Sequence, residues 1–313
     1  MNAFQTAVSA VLPLFVLMSL GVFFRKTGML NKPTLQQLNT FGFKILLSVA
    51  LYYNIVTSDI QSVFDGRLLA FALAAQFLVL AISVLAALPT EKTKKRRGAL
   101  AHGIYHVNFV IFGTLIGTAI CGEGNLGSIT LLIATVVPAQ NVLSVILLEL
   151  LRENSRLSFK KVFGGVVRNP YVIAAILGFA THLLPFEIPA VLLNVVRDIG
   201  RCGTPIALIV MGGLFNFGAI RGNLKAIAVG VVVRLIVVPL VMIPISVAMG
   251  FRGAAMVGLM CAFIAPCATS SFNLASAMDS DADLAAQLVV FTSLFSLVTV
   301  FCWIYLLSRM GVF

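Results

Sequence analysis

The ninth of ten long apolar segments in this chain contains the sequence Ala262-Phe-Ile-Ala-Pro266-Cys-Ala-Thr269-Ser270-Ser271-Phe-Asn273. A proline and a cluster of hydroxyl and amide side chains thus lie within a stretch long enough to cross a membrane. Proline interrupts a helix because it lacks an N–H group and its ring clashes with the preceding turn. In hydrocarbon, irregular backbone persists only where it is buried in protein or lines a watery cavity. The segment from Pro266 to Asn273 is therefore predicted to form part of a binding site.

The composition is that of an integral membrane protein. Hydrophobic residues make up 60% of the 313 residues and charged residues only 11%, and the mean hydropathy is +1.05. About 20 apolar residues span the hydrocarbon core of a bilayer, and the chain contains ten such runs with little sequence left for a soluble domain. The runs are residues 4–24, 35–57, 68–88, 99–120, 128–150, 170–185, 203–219, 224–249, 253–277 and 285–308.

The net charge of +11 is distributed unevenly between the two sides of the predicted membrane domain. With both termini on the non-cytoplasmic side, 15 of the 22 Lys and Arg residues fall in inner loops and five in outer loops. This asymmetry follows the positive-inside rule and predicts a multi-pass protein of the cell membrane with that orientation. Nucleic-acid binding is not expected. The 15 are Arg25, Lys26, Lys32, Lys92, Lys94, Lys95, Arg96, Arg97, Arg152, Arg156, Lys160, Lys161, Arg168, Arg221 and Lys225.

The sequence offers no motif for catalysis or for a cofactor. It has no HExxH motif, no GxSxG nucleophile elbow and no aspartate-rich diphosphate motif. Its five cysteines have neither the spacing of a metal site nor that of a disulfide framework, and we expect them to be small buried apolar residues. We therefore predict that the protein is not an enzyme and holds no metal or cofactor. The cysteines are Cys121, Cys202, Cys261, Cys267 and Cys302.

The longest inner connection, residues 151–169, divides the ten runs into five and five. We predict two repeats, residues 1–150 and 170–313, joined by this cytoplasmic linker. An odd number of spans makes the second repeat enter the membrane from the opposite side, which is the inverted-repeat architecture of many secondary transporters. The predicted fold is an all-α integral membrane protein with ten transmembrane helices in two inverted five-helix repeats.

In this scheme the fourth run corresponds to the ninth, and both contain polar residues about halfway along. The fourth run offers His102, His106, Asn108 and Thr114. Two interrupted helices that meet at the membrane midplane would present helix N-termini and free backbone groups to one small anion. The alternative is that Pro266 produces only an ordinary kink in a membrane helix.

Several of these segments resemble the auxin efflux carrier family, which includes plant auxin carriers and bacterial relatives described as malate or malonate permeases. Two departures are that Leu115 and Ser48 stand where the family often has proline. A break in the fourth helix would then rest on Gly103, Asn108 and Gly113. The similar segments are Asn108 followed by Phe112-Gly113, Arg168-Asn-Pro170-Tyr-Val-Ile-Ala-Ala-Ile-Leu-Gly178, Gly203-Thr-Pro205-Ile-Ala207-Leu-Ile-Val-Met-Gly212-Gly-Leu214, and the Pro266 segment.

The resemblance implies how the spans divide and where the substrate binds. Spans one, two, six and seven would form a scaffold and a homodimer surface, and spans three to five and eight to ten a moving transport unit. Asn108 and the Pro266 region would lie where helices four and nine cross. The sequence Pro138-Ala-Gln140-Asn141 in the fifth span is similar to the family pattern and makes Gln140 a candidate substrate-facing amide. Packing between helices is the alternative for this amide.

Two cations and two histidines lie within spans. Lys44 and Arg234 each lie about ten residues, or about 15 Å, inside a run. Inserting such a cation costs roughly 2.5–3.5 kcal/mol, so each is a candidate to attract an organic anion, or else pairs with carbonyl oxygens at a helix end. His102 and His106 share one helical face and either line the pathway, carry protons or simply pack. No acidic residue falls at mid-membrane, which favours uncoupled transport or coupling through these histidines.

Together these patterns predict a secondary transporter, an exporter of a small organic anion that works by elevator-type alternating access. The alternatives are a proton- or sodium-coupled dicarboxylate permease and a channel or receptor-like membrane protein. The predicted partners are the organic anion, the lipid bilayer and a second copy of the chain. The predicted substrate-binding residues are Asn108, Gln140, Asn141, Pro266, Thr269, Ser270 and Asn273.

Overall fold

The fold is described from a computed structural model of the chain. It describes residues 3–57, 65–122, 125–152, 163–164, 167–182 and 188–312. The structure is 85% helical and has no strand among these residues, which confirms the all-α prediction. Most of the predicted linker 151–169 lies outside the described residues. The described helices that are long and apolar enough to cross a membrane by themselves are Gly66–Thr90, Gly127–Leu150, Phe217–Ala248 and Ala282–Arg309.

The helices follow the apolar runs but divide several of them. Two π-helical segments, Gly42–Leu47 and Val233–Val237, lie inside the second and eighth runs. In the part of the chain that the structure describes, the α-helices are α1 (Ala3–Lys26), α2 (Lys32–Phe41), α3 (Ser48–Val56), α4 (Gly66–Thr90), α5 (Lys94–Tyr105), α6 (Phe109–Cys121), α7 (Gly127–Leu150), α8 (Pro170–His182), α9 (Ala190–Arg201), α10 (Gly203–Leu214), α11 (Ile220–Val232), α12 (Val238–Ala248), α13 (Gly253–Ile264), α14 (Ser270–Ala277) and α15 (Ala282–Arg309).

Polar caps set where several helices begin. The carboxylate of Asp65 accepts a hydrogen bond from the backbone N–H of Leu68 at 3.0 Å at the start of α4. Asp281 caps α15 in the same way through the N–H of Leu284, also at 3.0 Å. Each cap satisfies an amide group that the first turn of a helix leaves unpaired. Because these residues lie in connections between apolar runs, the local sequence signals and the hydropathy pattern agree on these helix starts.

The helices assigned by the sequence to the scaffold pack on one another through small residues. A Cβ atom at Gly21 of α1 would collide with the carbonyl oxygen of Ile209 in α10, and one at Gly212 with that of Met18. Glycine is therefore required for this close approach, which is how helices associate in a membrane without a hydrophobic driving force. On the other side of this group, α3 packs against α8 and α9.

The helices assigned to the transport unit share the largest apolar core. Leu100 of α5, Phe112 of α6, Phe263 of α13 and Leu288 of α15 are all fully or almost fully buried in it. At the predicted cytoplasmic ends of these helices, Arg96 donates hydrogen bonds to Glu91 at 2.6 and 2.9 Å, to Asp281 at 3.2 Å and to Asn223 at 2.8 Å. The bond to Glu91 raises the pKa of Arg96 above its usual value. These contacts tie the ends of α4, α5, α11 and α15 together.

Two details of the sequence prediction are wrong. The seventh span is predicted over residues 203–219, but α10 ends at Leu214 and is preceded directly by the amphipathic helix α9. Charged residues such as Arg197 and Asp198 in α9 lower its hydropathy, which is why no apolar run marks this helix. Cys202 and Cys302 are exposed rather than buried. Both lie on outer helix surfaces, where a small apolar side chain needs no protein neighbour if the surroundings are lipid.

Candidate functional site

Two helices are interrupted at corresponding places of the two predicted repeats. The first interruption separates α5 from α6 and consists of residues 106–108, and the second separates α13 from α14 and consists of residues 265–269. Both breaks expected from the sequence are therefore present. The second contains Pro266, whereas the first has no proline. The expectation that Gly103 and Gly113 would produce the first break is wrong, because they lie inside α5 and α6 and allow close contact with Leu288 and Ile133.

The two interruptions lie against each other as short antiparallel segments joined by an isolated bridge. The backbone N–H of Asn108 donates to the carbonyl oxygen of Pro266 at 2.9 Å, and that of Ala268 donates to the carbonyl oxygen of His106 at 2.9 Å. The backbone groups that each break frees are thus satisfied in part by the other break. This pairing meets the requirement for irregular backbone at membrane depth.

Arg234 joins the carboxyl ends of both broken helices. Its side chain is 1% exposed and projects from the second π-helical segment. The guanidinium donates to the carbonyl oxygens of Ala265 at 2.9 Å, Ala262 at 2.9 Å and Phe263 at 2.6 Å at the end of α13. It also donates to the carbonyl oxygen of Ile104 near the end of α5, at 3.3 Å. Of the two roles considered for Arg234, the geometry matches pairing with carbonyl oxygens at a helix end.

Gln140 of α7 holds the first interruption. Its side-chain oxygen accepts from the backbone N–H of Val107 at 3.3 Å. Its amide nitrogen donates to the carbonyl oxygen of Tyr105 at 3.1 Å and to the side chain of Gln76 at 3.4 Å. The side chain is 2% exposed. Both polar atoms of the Gln140 side chain are therefore hydrogen-bonded within the protein, as expected for an amide that positions the crossing.

These contacts give the crossing a definite electrostatic polarity. Four helix ends meet there, two carboxyl ends with partial negative charge and two amino ends with partial positive charge. The Arg234 cation and the Gln140 amide satisfy the carboxyl ends. At the amino ends, neither Asn108 nor Thr269 caps its helix with a side-chain hydrogen bond to another described residue. The positive ends of α6 and α14 thus have no side-chain cap from the described residues. Ser270 is the first residue of α14.

Two asparagines at the crossing have amide atoms without partners. The side-chain nitrogen of Asn108 and both side-chain polar atoms of Asn273 are buried and have no hydrogen-bond partner among the described residues. Asn273 is 0% exposed. A buried amide without partners is destabilising by about 1–3 kcal/mol. Such groups suit a site whose ligand supplies the missing partner.

Asn273 lies on α14, a helix that packs against α10, α2 and the first π-helical segment of the predicted scaffold. Its neighbour Phe272 belongs to a buried cluster with Leu208 of α10, and its other neighbour Leu274 to a cluster with Ala207 of α10. The helix that carries the Asn273 amide therefore lies at the boundary between the two groups of helices.

The histidine pair lies beside the crossing. The rings of His102 and His106 are stacked, with centroids 5.0 Å apart and an angle of 25° between their planes. His106 Nδ1 lies 3.1 Å from the hydroxyl oxygen of Ser271 in α14. The side-chain nitrogen of Asn141 in α7 donates to the carbonyl oxygen of Val137 at 2.9 Å. Both nitrogens of His102 are buried without a partner in the described structure. No group of three or more metal-binding side chains occurs among the described residues.

Lys44 is not brought to the crossing. It lies in the first π-helical segment with its side chain exposed on the outer surface of the chain. A shallow groove there is lined by Gln37, Thr40 and Lys44. The two intramembrane cations therefore have different environments, one buried among carbonyl oxygens and one on an outer face.

The sequence reasoning did not single out Thr292 or the pairing of Ser271 with His106. The hydroxyl oxygen of Thr292 in α15 accepts from the backbone N–H of Cys267 at 3.1 Å. Thr292 therefore accepts a backbone hydrogen bond from the second interruption, as Gln140 does from the first. A signal was available, because Thr292 and Ser293 are adjacent polar residues within the tenth apolar run.

Broken helices that meet in the interior of a membrane domain are typical of secondary transporters, and the comparison with known families agrees. Residues 152–304 match the family described as "Membrane transport protein", which is the auxin efflux carrier or PIN-like family. The family named from the sequence is thereby confirmed, and this part of the chain belongs to a family of membrane transporters. A comparison with curated proteins gives no match.

Proposed function

We propose that the protein exports a small organic carboxylate across the cytoplasmic membrane by elevator-type alternating access. The observation that carries this proposal is the polarity of the crossing. Arg234 satisfies the carboxyl ends of the broken helices, while the amino ends of α6 and α14 and the amides of Asn108 and Asn273 remain available. Helix amino ends and amide N–H groups are typical ligands of anions. Thr269 and Ser270 would add hydroxyl donors beside the substrate, and Gln140 would hold the interruption in place.

The proposed architecture is two inverted repeats, with α5–α6 equivalent to α13–α14. The interruptions support it, because they occur at corresponding places in the two halves and pair with each other. In an elevator mechanism, the helices of the shared apolar core would move as one body past the scaffold helices. Asn273 would then lie on the sliding boundary and exchange its environment during transport.

Export without a coupling ion is the simplest energetic scheme for this site. An inside-negative potential favours the exit of a monoanion by about 2.3 kcal/mol per 100 mV, which corresponds to about a fortyfold concentration ratio. The stacked pair of His102 and His106 supports a second candidate, a proton-coupled permease, because their imidazole nitrogens lie beside the crossing. The two schemes differ in whether transport responds to an imposed pH gradient.

A polar stripe on the second run supports the proposed homodimer. Gln37, Thr40 and Lys44 are exposed on one side of α2 and the π-helical segment that follows it. Thr40 donates to the carbonyl oxygen of Gln36 at 3.0 Å, but lipid chains cannot provide hydrogen bonds to the Gln37 amide or the Lys44 ammonium at membrane depth. A second copy of the chain packed on this surface would provide partners and remove the stripe from lipid.

Transport currents test the proposed function. The purified chain would be reconstituted into liposomes on a solid-supported membrane and exposed to organic mono- and dicarboxylates, with and without pH or sodium gradients. We expect a saturable current for one class of acid. Asn108→Ala and Asn273→Ala each remove a hydrogen bond to a charged group, worth about 1.5–3 kcal/mol, and should weaken the apparent affinity at least about tenfold.

The matched control is Asn125→Ala, the same change at an exposed position near the outer end of α6. It should leave the current unchanged. Folded Asn108→Ala and Asn273→Ala proteins with wild-type currents would contradict the proposed site. Counterflow of labelled substrate separates a carrier from a channel or receptor, because a pore does not exchange label against a gradient of unlabelled substrate.

A further inference from the structure

A polar cavity opens at the predicted cytoplasmic face, away from the crossing. Its volume is about 500 Å³. On one side it is lined by the end of α1, the beginning of α2 and the end of α10, and on the other by α14 and the first turn of α15. It therefore lies between helices assigned to the scaffold and helices assigned to the transport unit.

The charge of this cavity is predominantly positive. Arg25, Lys26 and Lys32 line it, and the acidic residue in its lining is Asp283. Asp283 already accepts a hydrogen bond from the side chain of Asn216 at 3.0 Å. Arg25 donates to the carbonyl oxygen of Gly213 at 3.3 Å through one terminal nitrogen, which anchors the guanidinium at the wall. Three cations facing one hydrogen-bonded carboxylate favour the binding of an anion.

The cavity borders α14, the helix that carries Asn273. Phe272 and Ser276 of α14 form part of its lining. Ser276 follows Asn273 by three residues, so the two lie one helical turn, or about 4.5 Å, apart along the helix axis. Asn273 itself is fully buried and is not part of the lining, so the cavity ends about one helical turn along α14 from this residue.

The cations of the cavity are all on its scaffold side. All three cations lie on α1 or at the start of α2, on the scaffold side, whereas Asn273 and Ser276 lie on the moving side. The cations would consequently keep their place while the crossing moves. A fixed cationic site at the predicted cytoplasmic face would capture an anion while the moving helices hold the crossing open to the cytoplasm.

We propose that Arg25, Lys26 and Lys32 form an oxyanion-binding vestibule that captures the carboxylate of the transported acid before it reaches the crossing. The proposal rests on the proposed function for its role in transport, but anion binding by the vestibule stands independently of transport. The same chemistry would hold the phosphate of an anionic lipid headgroup. The experiment below separates these two sources.

Binding of radiolabelled malonate and of inorganic phosphate would be measured on the full chain in nanodiscs of zwitterionic lipid. We expect binding to the wild type to weaken as salt rises, because the Debye length falls from about 30 Å at 0.01 M to about 8 Å at 0.15 M. The triple variant Arg25→Gln, Lys26→Gln, Lys32→Gln should bind about tenfold more weakly at low salt. Asp283→Asn should bind more tightly because it removes the opposing negative charge.

The matched control removes three cations from the same predicted face outside the cavity, as Lys94→Gln, Arg221→Gln, Lys225→Gln. It should bind as the wild type does. Because Arg25 also bonds to Gly213, the double variant Lys26→Gln, Lys32→Gln keeps the test valid if the triple variant does not fold. Equal binding by the control and the vestibule variants, or no binding to the wild type, would overturn the proposal.

Nanodiscs that contain phosphatidylglycerol identify the source of the oxyanion. If malonate still competes at the vestibule, the free acid is the ligand. If the lipid displaces malonate from the wild type and not from the vestibule variants, the site belongs to a lipid headgroup, which overturns the capture role. Vestibule binding together with an absence of transport would contradict the proposed function and leave the anion site standing.

Discussion

The two interruptions that cross at the centre of the molecule are similar in shape but have different origins. In the break between α13 and α14, Pro266 lacks an N–H group, and the preceding residue Ala265 is extended with ψ of 142°, as proline requires of the residue before it. In the break between α5 and α6, the chain leaves the helix at His106 with ψ of 115° although the local sequence has no proline.

The difference teaches that distant partners can hold the same backbone geometry with a local proline or without one. The α5–α6 break is held by the side chain of Gln140 in another helix and by the backbone of the α13–α14 break. The two breaks also hold each other, through one backbone hydrogen bond in each direction. Arg234 is common to both, because it bonds to carbonyl oxygens on each side.

The largest expected effect comes from removing the group that both breaks share. Arg234→Met leaves four buried carbonyl oxygens without their donor, at about 1–3 kcal/mol each. Since the whole stability of a protein is about 5–15 kcal/mol, we expect little folded protein, as measured by size-exclusion chromatography and thermal unfolding in detergent. Lys44→Met is the control, because it removes an intramembrane cation that is exposed, and it should fold normally. Equal stability of the two variants would contradict the capping role of Arg234.

A smaller effect should separate the two breaks. Gln140→Leu removes the acceptor of the Val107 N–H and the donor to the Tyr105 carbonyl oxygen, and should destabilise by about 2–4 kcal/mol. Thr292→Val removes only the acceptor of the Cys267 N–H and should destabilise by about 1–2 kcal/mol.

Hydrogen exchange checks this comparison directly. Exchange should increase in residues 105–109 of the Gln140→Leu protein and much less in residues 265–269. If exchange increases equally in both breaks of that protein, the two interruptions form one cooperative unit, which contradicts a role of Gln140 confined to the first.

The smallest effect is expected for Pro266→Ala. The new N–H group would need the carbonyl oxygen of Ala262 to continue the helix, but Arg234 already bonds to this oxygen. We therefore expect the break to persist. The free energy of unfolding, followed through the melting temperature, should change by about 1 kcal/mol or less. Val238→Ala, a buried apolar change in α12, provides a reference for ordinary packing loss. A continuous helix across residue 266, detected as slow hydrogen exchange at residues 265–269, would show that the proline alone maintains the break.

Part of the site could be predicted from the sequence because its signals are local. The proline and the polar cluster after it identified the ninth helix as interrupted, and Asn108 marked the corresponding position in the fourth. Gln140 was also selected, through a resemblance, but its contacts are with the backbone of the interruption. The roles of Gly103 and Gly113 were misassigned, because a glycine that allows close packing and one that allows a break look alike in a sequence.

By itself the sequence determined that the chain is helical and embedded in a membrane, where several helices begin, and that one of them is broken at Pro266. These properties depend on hydropathy, capping residues and a proline ring, which act within a few residues. The tertiary structure alone decided which groups hold the break between α5 and α6 and that Arg234 caps the carboxyl ends of both broken helices. The partners involved are far apart along the chain, with Arg234 and Ile104 separated by 130 residues, and in hydrocarbon a buried polar group takes whichever partner the fold brings within reach.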